Sequence, residues 1–355
     1  MENGKKIRVL IVDDSAVIRK LLEKIFSASP DIEVVGTASD PYIARDKLVQ
    51  LKPDVMTLDV EMPRMDGISF LEKVMQHFPT RTIIFSSLAK TGSETYLRAL
   101  EAGAIDIMEK PSIDVSQTLE VLGKEIVDRV RVVSRARMNP ITKVASPTTP
   151  VKKIDRTSLA RTTHQMIAVA SSTGGTEALK VFLSGMPADI PGTVVVQHMP
   201  PGFTKSFADN LNAMFPFEVK EAEEGDQVVP GRVLIAPGNY HMEITRSGAY
   251  YYVKLHQNPP LHSVRPAADY LMKSVAKYAG KNALGVILTG MGKDGAEGLL
   301  EMKNAGAYTV AQNEETCVVY GMPAAAVAIN AHDKILPLDK IAGDLLKQVQ
   351  QRNAA

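Results

Sequence analysis

Three apolar, strand-like runs in the second half of the chain each lead into a residue type that hydrolases use. These runs, with the residue that follows each, are 166–170 before Ser172, 193–196 before His198 and 283–288 before Asp294. A hydroxyl, an imidazole and a carboxylate are the groups that a Ser-His-Asp triad requires. Open parallel sheets bind their ligands outside the carboxyl ends of the strands, which is where all three residues would lie. The pattern favours an enzyme.

Each of these residues also has an ordinary structural role. The segment SSTGG at 171–175 precedes a helix expected near Thr176, so its hydroxyls could cap that helix while its glycines bind a phosphate. Backbone amides at the same helix start could equally stabilise an oxyanion. Asp294 could cap a helix predicted over 295–305, and Gly-Met-Gly at 290–292 resembles a short dinucleotide loop. Taken one residue at a time, capping and catalysis both remain open.

A second set of polar residues follows the strands predicted in the first part of the chain. Its members are Asp13 and Asp14, Asp59, Ser86 and Ser87, and Lys110. Carboxylates that converge need a cation, and hard oxygen ligands suit Mg²⁺. A magnesium-bound carboxylate such as Asp59 can become an aspartyl phosphate, with Lys110 balancing the phosphate charge. Helix capping by Asp14 and a surface ion pair of Lys110 are the alternatives, but four such strand ends together favour a pocket.

The elements that position these residues follow two successive alternating patterns. In the first 128 residues, strands are predicted over 7–12, 33–37, 55–58, 82–85 and 105–108, and helices over 15–27, 41–51, 67–76, 91–102 and 113–133. Five such units predict a five-stranded parallel sheet covered on both faces. The later strands are predicted over 166–170, 193–196, 232–236, 250–255, 283–288 and 308–311. They predict a doubly wound, mostly parallel α/β domain, with an antiparallel hairpin within 231–255, where a crossover helix has no room.

Composition separates the two patterns and limits the function classes. Residues 134–163 contain three prolines and seven Lys/Arg against one Asp, which favours a solvated linker over a nucleic-acid tether because aromatic residues are absent. We therefore predict domains at 1–128 and 164–355, joined by a linker at 129–163. The net charge of +1 gives no general attraction to nucleic acid or anionic membrane. The single Cys317 and a first apolar run of six residues predict a cytoplasmic protein without direct membrane insertion.

Three segments of the first pattern resemble the receiver domain of bacterial two-component response regulators over about residues 5–125. They are VDDS at 12–15, LDVEMPRMDG at 58–67 and KP at 110–111. The resemblance implies a flavodoxin-like fold with strand order 2-1-3-4-5 and phosphorylation of Asp59 by a histidine kinase. It implies Mg²⁺ ligands at Asp13, Asp14 and Asp59, and switch residues at Lys110 and at Ser86 or Ser87, of which Ser86 is preferred.

Six segments of the second pattern resemble the catalytic domain of the chemotaxis protein-glutamate methylesterases over roughly residues 164–345. They are 169–178, 196–212, 221–231, 235–238, 286–295 and 311–323. The resemblance implies Ser172 as the nucleophile, His198 as the base and Asp294 as the orienting carboxylate, in a chain order that differs from the usual serine hydrolases. It also implies that Thr173 and the backbone of Met291 surround the developing oxyanion, and that the esterase reaction needs no cofactor.

The combined resemblance implies a pathway role. Methyl-accepting chemotaxis receptors would be the substrates, through γ-methyl esters and specific glutamines of their cytoplasmic helices, and a chemotaxis histidine kinase would be the phosphodonor. The unphosphorylated receiver would limit access to Ser172. Two competing classes are a nucleic-acid-binding regulator, which the basic linker alone supports, and a nucleotide-binding enzyme that uses Gly174-Gly175 and 290–295. The latter lacks an acidic ribose partner.

Overall fold

The computed structural model of the chain describes residues 5–86, 93–110, 119–138 and 165–354. The chain divides into two compact units, residues 1–141 and 142–355. None of the helices in these described ranges has the length and apolar character that crossing a bilayer requires. Several positions of the sequence analysis lie outside the described residues, namely Ser87, Pro111, the beginnings of the helices predicted from 91 and from 113, and most of the predicted linker.

The N-terminal unit alternates strands and helices along the described chain. Its elements are β1 (Ile7–Val12), α1 (Ala16–Ser27), β2 (Ile32–Ala38), α2 (Pro41–Leu51), β3 (Val55–Asp59), α3 (Gly67–His77), β4 (Arg81–Ser86), α4 (Ser93–Glu101), β5 (Asp106–Glu109) and α5 (Leu119–Arg135). The described strands form a parallel five-stranded sheet in the order β2-β1-β3-β4-β5. The predicted order and the flavodoxin-like fold class are confirmed.

Local sequence signals set the helix starts in this unit. Asp40 accepts the amides of Tyr42 and Ile43 at the start of α2, and Asp66 accepts those of Ile68 and Ser69 at the start of α3. Such side-chain caps satisfy amides that lack a partner within the helix. These caps explain why the predicted helix starts at 41 and 67 agree with the structure.

Helix α5 continues to Arg135, beyond residue 128, at which the sequence analysis ended the first domain. Val130 and Val133 are fully buried. After the helix, the carbonyl of Ala136 accepts a hydrogen bond of 2.7 Å from Arg81 Nε at the start of β4. The last turns of α5 therefore pack with the N-terminal unit. Their arginines resemble the basic composition of the segment that follows, by which the linker was recognised in the sequence.

The C-terminal unit is built on a larger parallel sheet. Its elements are β6 (Met166–Ser171), α6 (Gly175–Ser184), β7 (Gly192–Gln197), α7 (Phe203–Met214), β8 (Glu218–Glu221), β9 (Gln227–Val228), β10 (Arg232–Ile235), β11 (His241–Ser247), β12 (Tyr250–His256), α8 (Ala268–Tyr278), β13 (Ala283–Ile287), α9 (Ala296–Asn304), β14 (Tyr308–Gln312), α10 (Met322–Ala328), β15 (Lys334–Leu336) and α11 (Leu338–Ala354). Among the described strands, seven form one parallel sheet in the order β15-β14-β13-β6-β7-β10-β8. The predicted mostly parallel α/β class is confirmed.

A small antiparallel sheet accompanies the large one. β11 and β12 form a hairpin, and β12 also pairs antiparallel with β9, so the predicted hairpin is confirmed. β10, however, belongs to the parallel sheet, where it lies between β7 and β8. The sequence analysis missed both edge strands of the large sheet, β8 and β15. Their EVKE and KIL sequences are short and partly exposed, so they lack the apolar run that marks the central strands.

Candidate active site

Three adjacent strands of the large sheet deliver the three candidate catalytic residues. β6 lies in the middle and leads to Ser172, β7 on one side leads to His198, and β13 on the other side leads to the turn that contains Asp294. Because all three strands run parallel, these residues meet at one edge of the sheet. The structure thus brings together the strand ends that the sequence analysis selected.

The turn after β6 separates two neighbouring serines. Ser171 is fully buried, and its hydroxyl donates to Gln197 Oε1 over 2.6 Å. Ser172 is also largely buried, but it keeps an exposed fraction of 9%, whereas Ser171 has none. Glycine 174, with φ 76°, occupies the N-cap position of α6, and the amide of Gly175 donates to the Ser172 carbonyl over 2.7 Å. The hydroxyls of this segment therefore do not fill the N-cap position.

The glycine-rich turn after β13 approaches Ser172 through backbone. The Ser172 amide donates to the carbonyl of Thr289 over 3.0 Å. A Cβ atom placed on Gly290 would lie only 2.8 Å from Ser172 Cβ and would also strike the sulfur of Met322. Glycine at this position therefore lets the backbone that continues into Met291 pass beside the serine. Thr173 is buried, and its carbonyl accepts a 3.0 Å hydrogen bond from the Thr289 hydroxyl.

His198 and Asp294 form a direct pair. His198 Nε2 lies 2.8 Å from Asp294 Oδ2, and both side chains are largely buried. This contact requires the proton to lie on Nε2, so Nδ1 of the neutral ring carries a lone pair that can accept a proton. The His198 amide in turn donates to the Ser171 carbonyl over 3.1 Å, which ties the histidine to the serine turn.

The Asp294 carboxylate contacts the start of α8, not the start of α9, which is the helix that follows Asp294 in the chain. Gly295 occupies the N-cap position of α9, so Asp294 is not its cap. The Asp294 carboxylate instead accepts the amides of Ala268 at 2.6 Å and Asp269 at 3.1 Å, in the first turn of α8. Burial opposes ionisation, but the hydrogen bond and charge of His198, together with these two amides, lower the pKa of Asp294 below its ordinary value. The group is therefore an anion ready to stabilise an imidazolium.

Gln197 is a positioning residue that the sequence analysis did not select. Its Nε2 donates to the Ser172 carbonyl at 3.0 Å and to the His198 carbonyl at 3.1 Å, while its Oε1 accepts from Ser171. One buried amide thus joins the backbones of the turns that contain Ser172 and His198. A polar residue that directly follows the apolar run of β7 was the available signal, because a buried amide requires partners.

The N-terminal unit carries the second predicted cluster. Oxygen atoms of Asp13, Asp14 and Asp59 all lie within 4.8 Å of one another. Lys110 Nζ lies 2.7 Å from Asp59 Oδ2 and 3.4 Å from Asp13 Oδ2, and its side chain is only 18% exposed. Ser15, not Asp14, caps α1. Lys110 is therefore part of the carboxylate cluster rather than a surface ion pair, and the helix-cap interpretation of Asp14 is wrong.

The charge balance of this cluster suits a divalent cation. Burial is the main reason that the pKa of Asp59 rises to about 6 and that the pKa of Asp13 is also raised, despite the nearby Lys110. One ammonium thus compensates the buried carboxylates incompletely. Three carboxylates of this kind supply the hard oxygen ligands that Mg²⁺ prefers. The residues present fit the ion that the resemblance implies.

The neighbouring strand and loop complete this edge of the smaller sheet. Ser86 is buried at the end of β4, and its carbonyl accepts the Lys110 amide over 3.0 Å. The Asp59 side chain accepts the amide of Glu61 over 3.1 Å. Gly67 lies against the Asp59 carbonyl so closely that a Cβ atom would clash with it, which explains glycine at this position.

Comparisons with known proteins cover both units of the chain. The family described as response regulator receiver domain matches residues 9–122, and the family described as CheB methylesterase matches residues 167–345. A protein-glutamate methylesterase/protein-glutamine glutaminase of Bdellovibrio bacteriovorus is 86% identical over 353 residues, which cover 99% of this chain and 100% of that protein. One of Salmonella typhimurium is 47% identical over 349 residues, covering 98% and 99% of the two chains.

A solved structure supports the larger unit. The crystal structure of the Thermotoga maritima CheB methylesterase catalytic domain aligns with a TM-score of 0.51 and 39% identity, covering 52% of this chain and 98% of that chain. Together with the parallel sheets and the two clusters of strand-end residues, these similarities confirm the resemblance stated from the sequence. The chain belongs to the family of chemotaxis protein-glutamate methylesterases/protein-glutamine glutaminases, with a response regulator receiver domain and a CheB methylesterase domain.

Proposed function

We propose that this enzyme removes methyl groups from glutamate γ-methyl esters of chemotaxis receptors by a Ser172-His198-Asp294 mechanism, under control of phosphorylation at Asp59. The observation that carries the proposal is the 2.8 Å pair of His198 and Asp294, which a shared sheet edge sets beside the Ser172 turn. The receptors' cytoplasmic helices present the substrate glutamates, so the reaction takes place in the cytoplasm.

The proposed mechanism gives each member of the triad a role. His198 Nδ1 takes the proton of Ser172, whose oxygen attacks the ester carbonyl carbon. Asp294 holds the opposite ring nitrogen and stabilises the imidazolium that forms. The protonated histidine then gives its proton to the departing methoxide, which leaves as methanol. Water, activated by the same base, releases the glutamate carboxylate from Ser172.

Glutamine deamidation uses the same steps with a different leaving group. The serine attacks the side-chain amide carbonyl, and His198 protonates the nitrogen so that ammonia leaves. Both reactions pass through an oxyanion. We assign its stabilisation to Thr173 and to the backbone amide of Met291, because Gly290 brings this backbone beside Ser172. The esterase reaction on this reading needs no cofactor.

The receiver domain supplies the control. Asp59 accepts a phosphoryl group from a chemotaxis histidine kinase, and Asp13, Asp14 and Asp59 would hold the Mg²⁺ that this reaction requires. The ion would neutralise the carboxylates and the oxygen atoms of the incoming phosphoryl group. Lys110 then pairs with the phosphate, and the Ser86 hydroxyl contacts a phosphate oxygen. The raised pKa of Asp59 supports this assignment, because a nucleophilic carboxylate gains basicity from burial.

The division of the chain completes the proposal. The sequence predicts a receiver at 1–128, a linker at 129–163 and a catalytic domain at 164–355, and we move the end of the receiver to Arg135, a division that limited proteolysis can test. Because α5 continues to Arg135, the first cut is expected after this helix. Nucleic acid and direct membrane insertion play no part in this mechanism.

Methanol release from membranes that contain methylated receptors tests the proposal. The full chain should release methanol, and a small phosphodonor with Mg²⁺ should raise the rate. Ser172→Ala, prepared and measured in parallel, is the matched control. Release that is unchanged in this variant would reject the mechanism. Salt-dependent binding to random DNA would instead favour a nucleic-acid regulator, and stabilisation by a dinucleotide would favour a cofactor enzyme.

A further inference from the structure

The start of α8 is attached at two places. The amides of Ala268 and Asp269 donate to the Asp294 carboxylate, as described above. The amide immediately before them, that of Ala267, donates to Nδ1 of His241 over 3.1 Å. Three consecutive amides thus point at two side chains, one of them the carboxylate of the proposed triad.

The surroundings of His241 select one form of its ring. The residue begins β11 and is fully buried. Its Nε2 lies 3.2 Å from the carbonyl of Pro259, which can only accept, while the Ala267 amide at Nδ1 can only donate. The neutral tautomer with its proton on Nε2 satisfies both contacts. In the imidazolium, Nδ1–H would be a donor facing the Ala267 N–H, which is also a donor.

We infer that His241 is a positioning residue for the reaction: its neutral ring fixes the amide of Ala267, the residue before α8, so that the next two amides hold Asp294 in line with His198. The inference rests on the proposed triad. It adds a side chain that touches neither substrate nor reacting atoms and acts only through α8 and Asp294. Loss of the Nδ1 acceptor frees the Ala267 amide in a buried site, and the helix start moves to find another partner.

The groups around His241 keep it neutral. Burial is the main cause that lowers its pKa, and the nearby His256 on β12 and Arg265 before α8 act in the same direction. The Pro259 carbonyl and the charge of Asp294 oppose this shift only in part. On α8 itself, the Tyr270 ring packs 4.3 Å from the imidazole, centroid to centroid. The anchoring contact is therefore present at neutral pH.

Kinetics of the full chain with Mg²⁺ and phosphodonor test this role. His241→Leu removes both nitrogens, and we expect kcat for methanol release to fall by about 10²-fold while KM changes less than about two-fold, because misplacement of a catalytic group acts on chemistry. His241→Asn keeps an acceptor near the position of Nδ1 and cannot take up a proton, so it should recover most of the lost rate.

His256→Asn is the matched control. The His256 ring packs 5.2 Å from the His241 ring, centroid to centroid, but its Nδ1 accepts the amide of Asn258 and its Nε2 lies 3.5 Å from Glu243 Oε2. The His256→Asn variant should keep kcat within about two-fold of the wild type. If His241→Leu kept the wild-type kcat, or if kcat fell equally in His241→Leu and His241→Asn, the proposed role of His241 would be wrong.

Stability supplies a second measurement in case His241→Leu does not fold. The unfolded chain protonates His241 at its ordinary pKa of about 6.5, above the lowered value of the folded state. The wild type should therefore lose stability relative to His241→Asn as the pH falls below about 6.5. Parallel melting curves at all pH values would contradict the inference. Activity that survives His198→Ala would reject the triad itself, whereas inactive His198→Ala beside fully active His241→Leu would reject only the role of His241.

Discussion

The hydroxyl of Ser171 donates to Oε1 of Gln197 over 2.6 Å, in a contact that is entirely buried. This pairing gives two adjacent serines different roles. The first hydroxyl is committed to the architecture that joins the strand ends of β6 and β7. The second belongs to the turn whose backbone Gln197 joins to that of His198, and it is the hydroxyl that the proposed mechanism uses.

Substitution of the two serines should therefore have opposite consequences. Ser172→Ala and His198→Ala should each abolish methanol release, since loss of the serine or histidine of a comparable triad costs about 10⁶-fold in kcat. Ser171→Ala should keep most of the activity but lower the free energy of unfolding by about 1–3 kcal/mol, because Gln197 Oε1 loses its donor. A dead Ser171→Ala enzyme beside an active Ser172→Ala enzyme would exchange the assignments.

Asp294→Asn should cost less than either of those changes, about 10⁴-fold in kcat by the same precedent. Asp294 accepts hydrogen bonds from two α8 amides and from His198 Nε2, and these contacts use both of its carboxylate oxygens. An asparagine side chain has only one oxygen for the same contacts. Its NH₂ group would also favour the wrong tautomer of His198. The ratio of kcat for Asp294→Asn to kcat for His198→Ala measures how much smaller the loss is. A loss as large as that of His198→Ala would contradict the supporting role.

Phosphorylation should occur at Asp59 and should follow its ionisation. With a small phosphodonor and limiting Mg²⁺, the labelling rate should fall as the pH drops through about 6, the value to which burial raises the Asp59 pKa. More Mg²⁺ should move this midpoint to lower pH, because the cation stabilises the carboxylate. Asp59→Asn should remove the acid-labile label. Label retained in this variant would place the phosphate elsewhere.

The same residue should limit the stability of the receiver at neutral pH. The folded state binds the Asp59 proton more tightly than the unfolded chain, whose carboxyl titrates near 3.9. Between about pH 4 and pH 6 the folded state holds more protons, so the contribution of Asp59 to unfolding free energy decreases as the pH rises. Asp59→Asn should therefore raise the Tm of the receiver at pH 7, as saturating Mg²⁺ should for the wild type. Unchanged Tm values in both cases would contradict this charge balance.

Removal of the receiver should release the esterase. A shortened chain that begins at Ser158 should demethylate receptors faster than the unphosphorylated full chain, by a factor in the range of about 5 to 150 that is typical of coupled sites. It should also ignore the phosphodonor. Methanol release from the same receptor membranes compares the two proteins. Equal basal rates would leave the receiver with an activating or targeting role only.

The sequence predicted the central elements well because they carry strong local signals. β1 and α2 have the predicted bounds, β6 and β13 differ by one residue at one end, and β7 is longer by one residue at each end. Buried apolar runs and a proline after a capping aspartate define these elements. The short edge strands carried charged or exposed residues and were missed. Residue types at strand ends were sufficient to select Ser172, His198 and Asp294, since parallel strands bring their carboxyl ends to one edge.

The supporting contacts were not predictable in the same way. The amides that hold Asp294 belong to Ala268 and Asp269, 26 and 25 residues earlier in the chain, and the local pattern pointed instead to capping of α9. The three contacts of Gln197 depend on how β6 and β7 align, which no local window contains. Such side chains become recognisable only when the strands and helices are placed in space.

The position of β6 between β7 and β13 also sets the time at which a newly made chain can become active. A ribosome produces Ser172 and His198, the proposed nucleophile and base, near the middle of synthesis, whereas β13 and Asp294 follow only after the antiparallel hairpin and α8. Until then one edge of β6 has no neighbour in the large sheet, and unpaired edges invite association between chains. A chain that terminates before β13 would therefore lack the carboxylate of the proposed triad and would be prone to aggregate.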